Sequence, residues 1–299
     1  MNLNRIDAAI AAYKTKSEDA DAARLAFFRE VWGVQDSVAA EAATLSYEVP
    51  AAEDLLAWHA ASEPVLAHAP VAIDPETLAD AIARTAACLL DSGGFPATVQ
   101  EAFARTKWDR VVAASDVACA GSDPAAYVES FGALLRDDGM SEDPARVGAL
   151  AASLALRALL DGPAAQVGSA LRKAGAAEPH PMRCPVCGGA ATVARVGDTQ
   201  AVQGRGKELW CGQCGTAWDF ERVRCARCGT QNQAHLHYFN VEGDDAHRIA
   251  TCDECGGYVR TVYQEDALAP FAFEVEDVVM ARLDLIAYQQ ANAQAAGER

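Results

Sequence analysis

Ten cysteines stand out in this 299-residue chain, and eight of them form four Cys-x-x-Cys pairs: Cys184/Cys187, Cys211/Cys214, Cys225/Cys228 and Cys252/Cys255. The first and second pairs enclose 23 residues, as do the third and fourth, and both Cys184 to Cys225 and Cys211 to Cys252 span 41 positions. Arg183-Cys-Pro-Val-Cys-Gly188 is echoed by Arg224-Cys-Ala-Arg-Cys-Gly229, which marks an internal duplication. A glycine follows every pair, at Gly188, Gly215, Gly229 and Gly256. Two thiolates reach one ion only where the chain turns tightly, and glycine permits the dihedrals that such a turn needs.

This spacing predicts two metal sites, one held by Cys184, Cys187, Cys211 and Cys214 and the other by Cys225, Cys228, Cys252 and Cys255. A four-thiolate shell leaves no coordination position for a substrate, so such sites are structural or electron-transferring rather than catalytic. Soft tetrahedral sulfur suits iron and zinc alike, so the expected cofactors are two metal ions, iron or zinc. A crossed arrangement, with the inner two pairs sharing an ion, stays open, although the ten residues between Cys214 and Cys225 make it awkward. Four separate dithiol redox motifs would each be expected to open a helix in an alternating strand and helix pattern, which is absent.

Each repeat must carry its pairs on a small scaffold. Thr192–Val196 and His235–Phe239 read as strands, with Lys207–Trp210 and Arg248–Thr251 returning, so each repeat is expected to be a hairpin between two cysteine turns. His235 and His237 would share one strand face as surface residues, and Trp210, Trp218, Tyr238 and Tyr258 would shield the metals and form a minimal core.

The rest of the chain is different in kind. Basic and acidic residues number 14 and 26 over 1–182, 9 and 9 over 183–263, and 2 and 7 over 264–299, so the net charge of −17 lies outside the cysteine-rich segment. Residues 1–175 are rich in Ala and Leu, and Asp precedes Pro at Asp74, Asp123 and Asp143, a helix-start signal in which Asp caps free amides and Pro occupies the first turn. Gly93-Gly94, Gly139 and Gly162 are the matching stops. Further helices are expected at about 20–44, 53–68, 96–119 and 163–174. His59 and His68 lack a partner at ligand spacing and read as packing or surface residues, and Cys88 and Cys119 as structural thiols. A helix over 265–292 would pack the two regions together through Val275, Val278, Val279, Leu283 and Ile286. The expected fold class is therefore a mainly α N-terminal domain (1–175), a linker (176–182), a small β-rich tandem rubredoxin-like or zinc-ribbon metal domain (183–263), and a C-terminal helix and tail (264–299).

Mean hydropathy is −0.03, with 51% hydrophobic and 22% charged residues, as in a soluble globule. No uninterrupted apolar stretch approaches the roughly 20 residues that span a bilayer, and Met1 to Glu18 lacks the apolar core of a secretory signal, so the expected location is cytoplasmic without membrane insertion. That compartment keeps thiols reduced, which favours metal ligation over disulfides. The acidic balance argues against nucleic acid as a partner, because the metal domain is neutral before its thiolates are counted.

Cys-Pro-Val-Cys-Gly at 184–188, Leu-Trp-Cys-x-x-Cys at 209–214, Thr-Ala-Trp at 216–218, Arg222-x-x-Cys-x-x-Cys to 228 and Cys252-x-x-Cys-x-x-Tyr258 together resemble the FdhE family of formate dehydrogenase accessory proteins. The resemblance covers about 183–263 and implies a cytoplasmic maturation factor rather than an enzyme. It also implies a rubredoxin-like iron-binding centre and a client that is the molybdenum-containing catalytic subunit of formate dehydrogenase. The runner-up classes are a rubredoxin-like electron carrier and a zinc-ribbon nucleic-acid binder.

Overall fold

The computed structural model describes residues 1–13, 19–42, 47–176, 178–198, 206–241 and 243–286. The ends of two expected helices, 43–44 and 287–292, lie outside them. The N-terminal region is helical: α1 (Leu3–Tyr13), α2 (Asp19–Ala42), α3 (Ala52–Ala60), α4 (Val65–His68), α5 (Pro75–Gly93), α6 (Ala97–Arg105), α7 (Trp108–Ala113), α8 (Val117–Ser122), α9 (Pro124–Asp137) and α10 (Glu142–Ala174). The capping logic holds at two of the three Asp-Pro starts. Asp74 accepts from the Thr77 amide at 2.9 Å and Asp123 from the Ala126 amide at 3.1 Å. At the third, Ser141 takes the N-cap position and Asp143 sits inside the first turn.

Three expected helices are redrawn. The 53–68 helix breaks at Ser62, whose φ is +58°, just before Pro64, which disfavours a helical residue ahead of it. The 96–119 helix becomes three, interrupted at extended Thr106 and at Asp116, whose carboxylate caps α8 by accepting from the Cys119 amide. Gly162, expected as a stop, does not end its helix: α10 runs through Gly162-Pro163 for 33 residues. An interior proline costs about 3 kcal/mol. Leu159 and Leu160 before it and Val167 and Leu171 after it are all buried, at roughly 1.5–3 kcal/mol each, so packing outweighs the break. By length and composition α10 could also cross a membrane, but here it is the central core helix of the bundle, packed by α2, α5 and α9.

The cysteine-rich segment forms one six-stranded mixed sheet from β1 (Val193–Gly197), β2 (Gly206–Trp210), β3 (Ala217–Phe220), β4 (Leu236–Phe239), β5 (His247–Cys252) and β6 (Tyr258–Tyr263), in the order β3-β2-β1-β6-β5-β4. Each repeat is thus a three-stranded antiparallel unit rather than a hairpin, and β1 joins β6 in parallel to fuse the units. The third strands follow the second cysteine turn of each repeat; Tyr258-Val-Arg-Thr-Val-Tyr263 is a run of β-branched and aromatic residues that carried the signal. His235 belongs to a short 3-10 turn ahead of β4 rather than to the strand.

Strand alternation gives the sheet two faces. On one, Ala194, Leu209, Trp218 and Phe220 share a core with Leu55, Val65, Leu66, Leu160, Val167 and Leu171 of the helical region. On the other, Val193, Trp210, Ile249 and Val262 pack against Phe271, Met280 and Leu283. The C-terminal helix starts at Phe273 rather than 265, as α11 (Phe273–Val279), with 281–286 also helical. Val275, Val278 and Val279 bury against Ile6, Ile10 and Leu25 while Leu283 reaches the sheet, so this segment does tie helices to strands.

Candidate metal centres

Each cysteine pair sits on the same short turn. The amide of the glycine after the pair bonds back to the first cysteine's carbonyl: Gly188 to Cys184 at 2.9 Å, Gly215 to Cys211 at 2.8 Å, Gly229 to Cys225 at 3.1 Å and Gly256 to Cys252 at 2.8 Å. All four glycines have φ between +68° and +81°, the left-handed region that side chains rarely adopt. The turn leaves amides facing sulfur, as where the Arg227 and Cys228 amides approach Cys225 Sγ at 3.3 and 3.5 Å.

These turns bring together the two expected foursomes and not the crossed combination. The sulfurs of Cys184, Cys187, Cys211 and Cys214 all lie within 4.8 Å of one another, as do those of Cys225, Cys228, Cys252 and Cys255. Across each foursome the sulfurs approach to 3.5 Å in the first and 3.8 Å in the second. A tetrahedral ion with metal–sulfur bonds of about 2.3 Å needs sulfurs about 3.8 Å apart, so both clusters could hold a metal ion. Burial beside three other sulfurs pushes the Cys184 thiol well up; a bound cation is what would favour four thiolates there. The donor set does not choose between iron and zinc.

The surroundings of the two clusters differ. All four cysteines of the first are buried, whereas Cys228 and Cys255 of the second are exposed. The helical region grips the first cluster directly. The α4 amides of Val65 and Leu66 donate to the Pro185 and Val186 carbonyls at 3.0 and 2.9 Å, and Ser153 of α10 bonds Gln213 at 3.1 Å. Arg157 of α10, 5% exposed, lies against Gly215, where an added Cβ would meet its guanidinium at 2.2 Å. Asp161 at 2.5 Å and Glu274 at 3.2 Å balance its charge. Arg157 carries no motif; its role is visible only once α10 is docked.

Among the flanking aromatics, Trp210 and Trp218 are buried as expected, and the Trp218 indole donates to the Pro181 carbonyl at 2.8 Å. Tyr238 corrects the expectation: it is 64% exposed and its ring lies under the Arg248 guanidinium rather than in a core. His237 is exposed and pairs with Asp253 at 2.9 Å, outside both clusters. His68 stacks on Trp58 and His59 is buried, outside both clusters. Burial, with nearby carboxylates, pushes the thiols of half-buried Cys88 and Cys119 up, which favours their protonated form. A buried group the sequence did not single out is His247. Its Nδ1 is 2.9 Å from Asp244 and its Nε2 2.9 Å from Glu276 and 3.1 Å from the Tyr13 hydroxyl, which binds α1, β5 and α11 together.

No family model matches the chain. Among curated proteins it is 34% identical over 108 residues to the Protein FdhE homolog of Aquifex aeolicus, an alignment covering 36% of this chain and 37% of that protein. It is likewise 34% identical over 85 residues to Protein FdhE of Escherichia coli, covering 27% of this chain and 26% of that one. The chain therefore matches these relatives over about a third and a quarter of their own lengths. The crystal structure of the FdhE protein from Pseudomonas aeruginosa shares the fold, with a TM-score of 0.53 at 17% identity, over 96% of this chain and 90% of that one.

Proposed function

We infer, from sequence and fold likenesses that support the FdhE family for this chain, that it is a formate dehydrogenase accessory protein. In this reading it works in the cytoplasm as a maturation factor, not an enzyme. Its client is the catalytic subunit of a molybdenum-dependent formate dehydrogenase, which it binds through its metal-folded domain. The observation that carries this reading is the pair of closed four-cysteine clusters built on one repeated turn. Cys184, Cys187, Cys211 and Cys214 would hold one ion and Cys225, Cys228, Cys252 and Cys255 the other. Eight sulfurs around two ions leave no open coordination position, so the metals supply rigidity rather than a reacting site. Binding one structural zinc is worth roughly 10–16 kcal/mol in small peptides, ample to fold turns with so little core of their own. The chain's own residues then present a fixed sheet, and the acidic helical region adds a second contact face.

Two measurements on purified material test this. Metal analysis of the full chain should return two ions per chain, and calorimetry against the purified catalytic subunit should show a saturable complex. Absence of any complex between the metal-loaded chain and the subunit overturns the accessory reading. A reversible iron–thiolate redox band coupled to a reductase, without subunit binding, would favour an electron carrier.

A further inference from the structure

One face of the sheet is treated differently in its two halves. The ladders make Ala194 and Tyr238 counterparts: Ala194 pairs with Leu209 of its repeat and Tyr238 with Ala250 of the other, 41 positions on. Ala194 is fully buried in the core shared with α3, α4 and α10, whereas Tyr238 is 64% exposed. Where helices cover the first half, the second half has a cleft of about 430 Å³ between the strands and the turn carrying Cys225. That volume is in the range of ligand and peptide pockets.

The lining is cationic in a chain of net charge −17: three arginines, Lys207 and His237 border the cleft, and no carboxylate does so among the described residues. Glu221 and Asp253 lie nearby, engaged by Arg224 and His237. Lys207 is only 7% exposed, yet among the described residues its ammonium makes one long hydrogen bond, 3.4 Å to the Arg224 carbonyl, and otherwise rests over the Phe220 ring. Arg222 is exposed and makes no hydrogen bond or ion pair among the described residues. A buried cation short of partners is costly, and an incoming carboxylate offsets that cost.

We propose that this cleft is the client-docking surface, taking an acidic segment of the catalytic subunit whose carboxylates meet Lys207 and Arg222 while an apolar side chain covers Tyr238. The proposal rests on the accessory reading above and deepens it by naming the surface. Charge selects the occupant: residues 287–299 of this chain hold one acid and one base and offer no complement. In the first repeat the matching face is already covered by packed helices, so the second repeat's face is the one left open to an occupant.

The test is calorimetric binding of the full metal-loaded chain to the purified catalytic subunit, with metal content and oligomeric state measured on the same samples. Arg222→Glu should weaken binding about tenfold or more and Tyr238→Ala several-fold, with two ions per chain retained. Arg105→Glu, an exposed reversal on α6, should stay within about twofold of the parent. Raising salt from about 0.05 to 0.3 M should weaken the parent complex more than the Arg222→Glu one. Parent-like affinity in both cleft variants overturns the proposal. So does weakening that tracks loss of one metal equivalent, which would make the cations counter-charges of the cluster. A change from dimer to monomer at unchanged subunit affinity also overturns it, because the occupant would then be a second copy. If the unmodified chain does not bind the subunit at all, the accessory reading falls first and this proposal with it.

Discussion

The two cysteine repeats share one turn geometry and differ in what lies over them. The first is locked under α4 and α10, with every sulfur buried and Arg157 wedged against its second turn. The second projects from the sheet, with two sulfurs exposed and a cationic cleft where the first has helices. Two repeats of one sequence pattern thus sit in different surroundings, one inside the core shared with the helices and one facing outward. The same sulfur geometry recurs in both, because a four-cysteine cluster depends on its local turns and not on what covers them.

That division can be broken most severely at the cysteines. Cys211→Ser should remove one metal ion and destabilise the whole chain, since the first cluster shares its core with α3, α4 and α10; thermal unfolding should fall by tens of degrees or expression should fail. Cys228→Ser should also lower the metal content by one ion yet leave the helical circular-dichroism signal and the main unfolding transition close to the parent's. Equal losses in the two variants would erase the distinction.

The next contrast lies at the glycines. Gly215→Ala must adopt φ +78° and also displace the Arg157 guanidinium, for an expected cost of about 4 kcal/mol in denaturant unfolding. Gly256→Ala meets nothing within 4 Å and should cost only the left-handed strain, about 1–2 kcal/mol. His247 supplies a smaller, pH-dependent effect. Burial pushes its pKa down, but Asp244 and Glu276 prevail and hold it at about 9, above the ordinary 6.5. Stability from this group is therefore fully present below pH 6.5 and lost as pH rises through about 9, to a limit of roughly 3 kcal/mol. His247→Gln should flatten that window, as read by unfolding midpoints across it. Last, a chelator should strip the second cluster first, about tenfold faster than the buried one, as followed by metal release with time; release of both ions in a single phase would contradict the exposure difference.

The sulfur foursomes were legible because the physical requirement is local: Cys-x-x-Cys followed by glycine closes a turn whatever surrounds it, and the 41-residue offset pairs the turns. Helix starts at Asp74 and Asp123 were legible for the same reason, each cap lying three residues from the amide it serves. The failures come where distant packing outweighs a local rule. Pro163 does not end α10 because leucines on either side bury in two different cores, and Tyr238, aromatic and on the cysteine-rich sheet, is left exposed because no helix among the described residues covers it.

By itself the sequence determined the two cysteine foursomes, the acidic helical region and the existence of a repeat, since each rests on spacing or composition along the chain. Only the tertiary structure decided that six strands fuse into one sheet through a parallel β1–β6 seam, that Arg157 and His247 become buried charged ties, and that one repeat is covered while its twin is open. Those outcomes depend on which elements meet across separations of 67 to 234 residues, where nothing in the local pattern distinguishes a face that will be packed from one that will be left open.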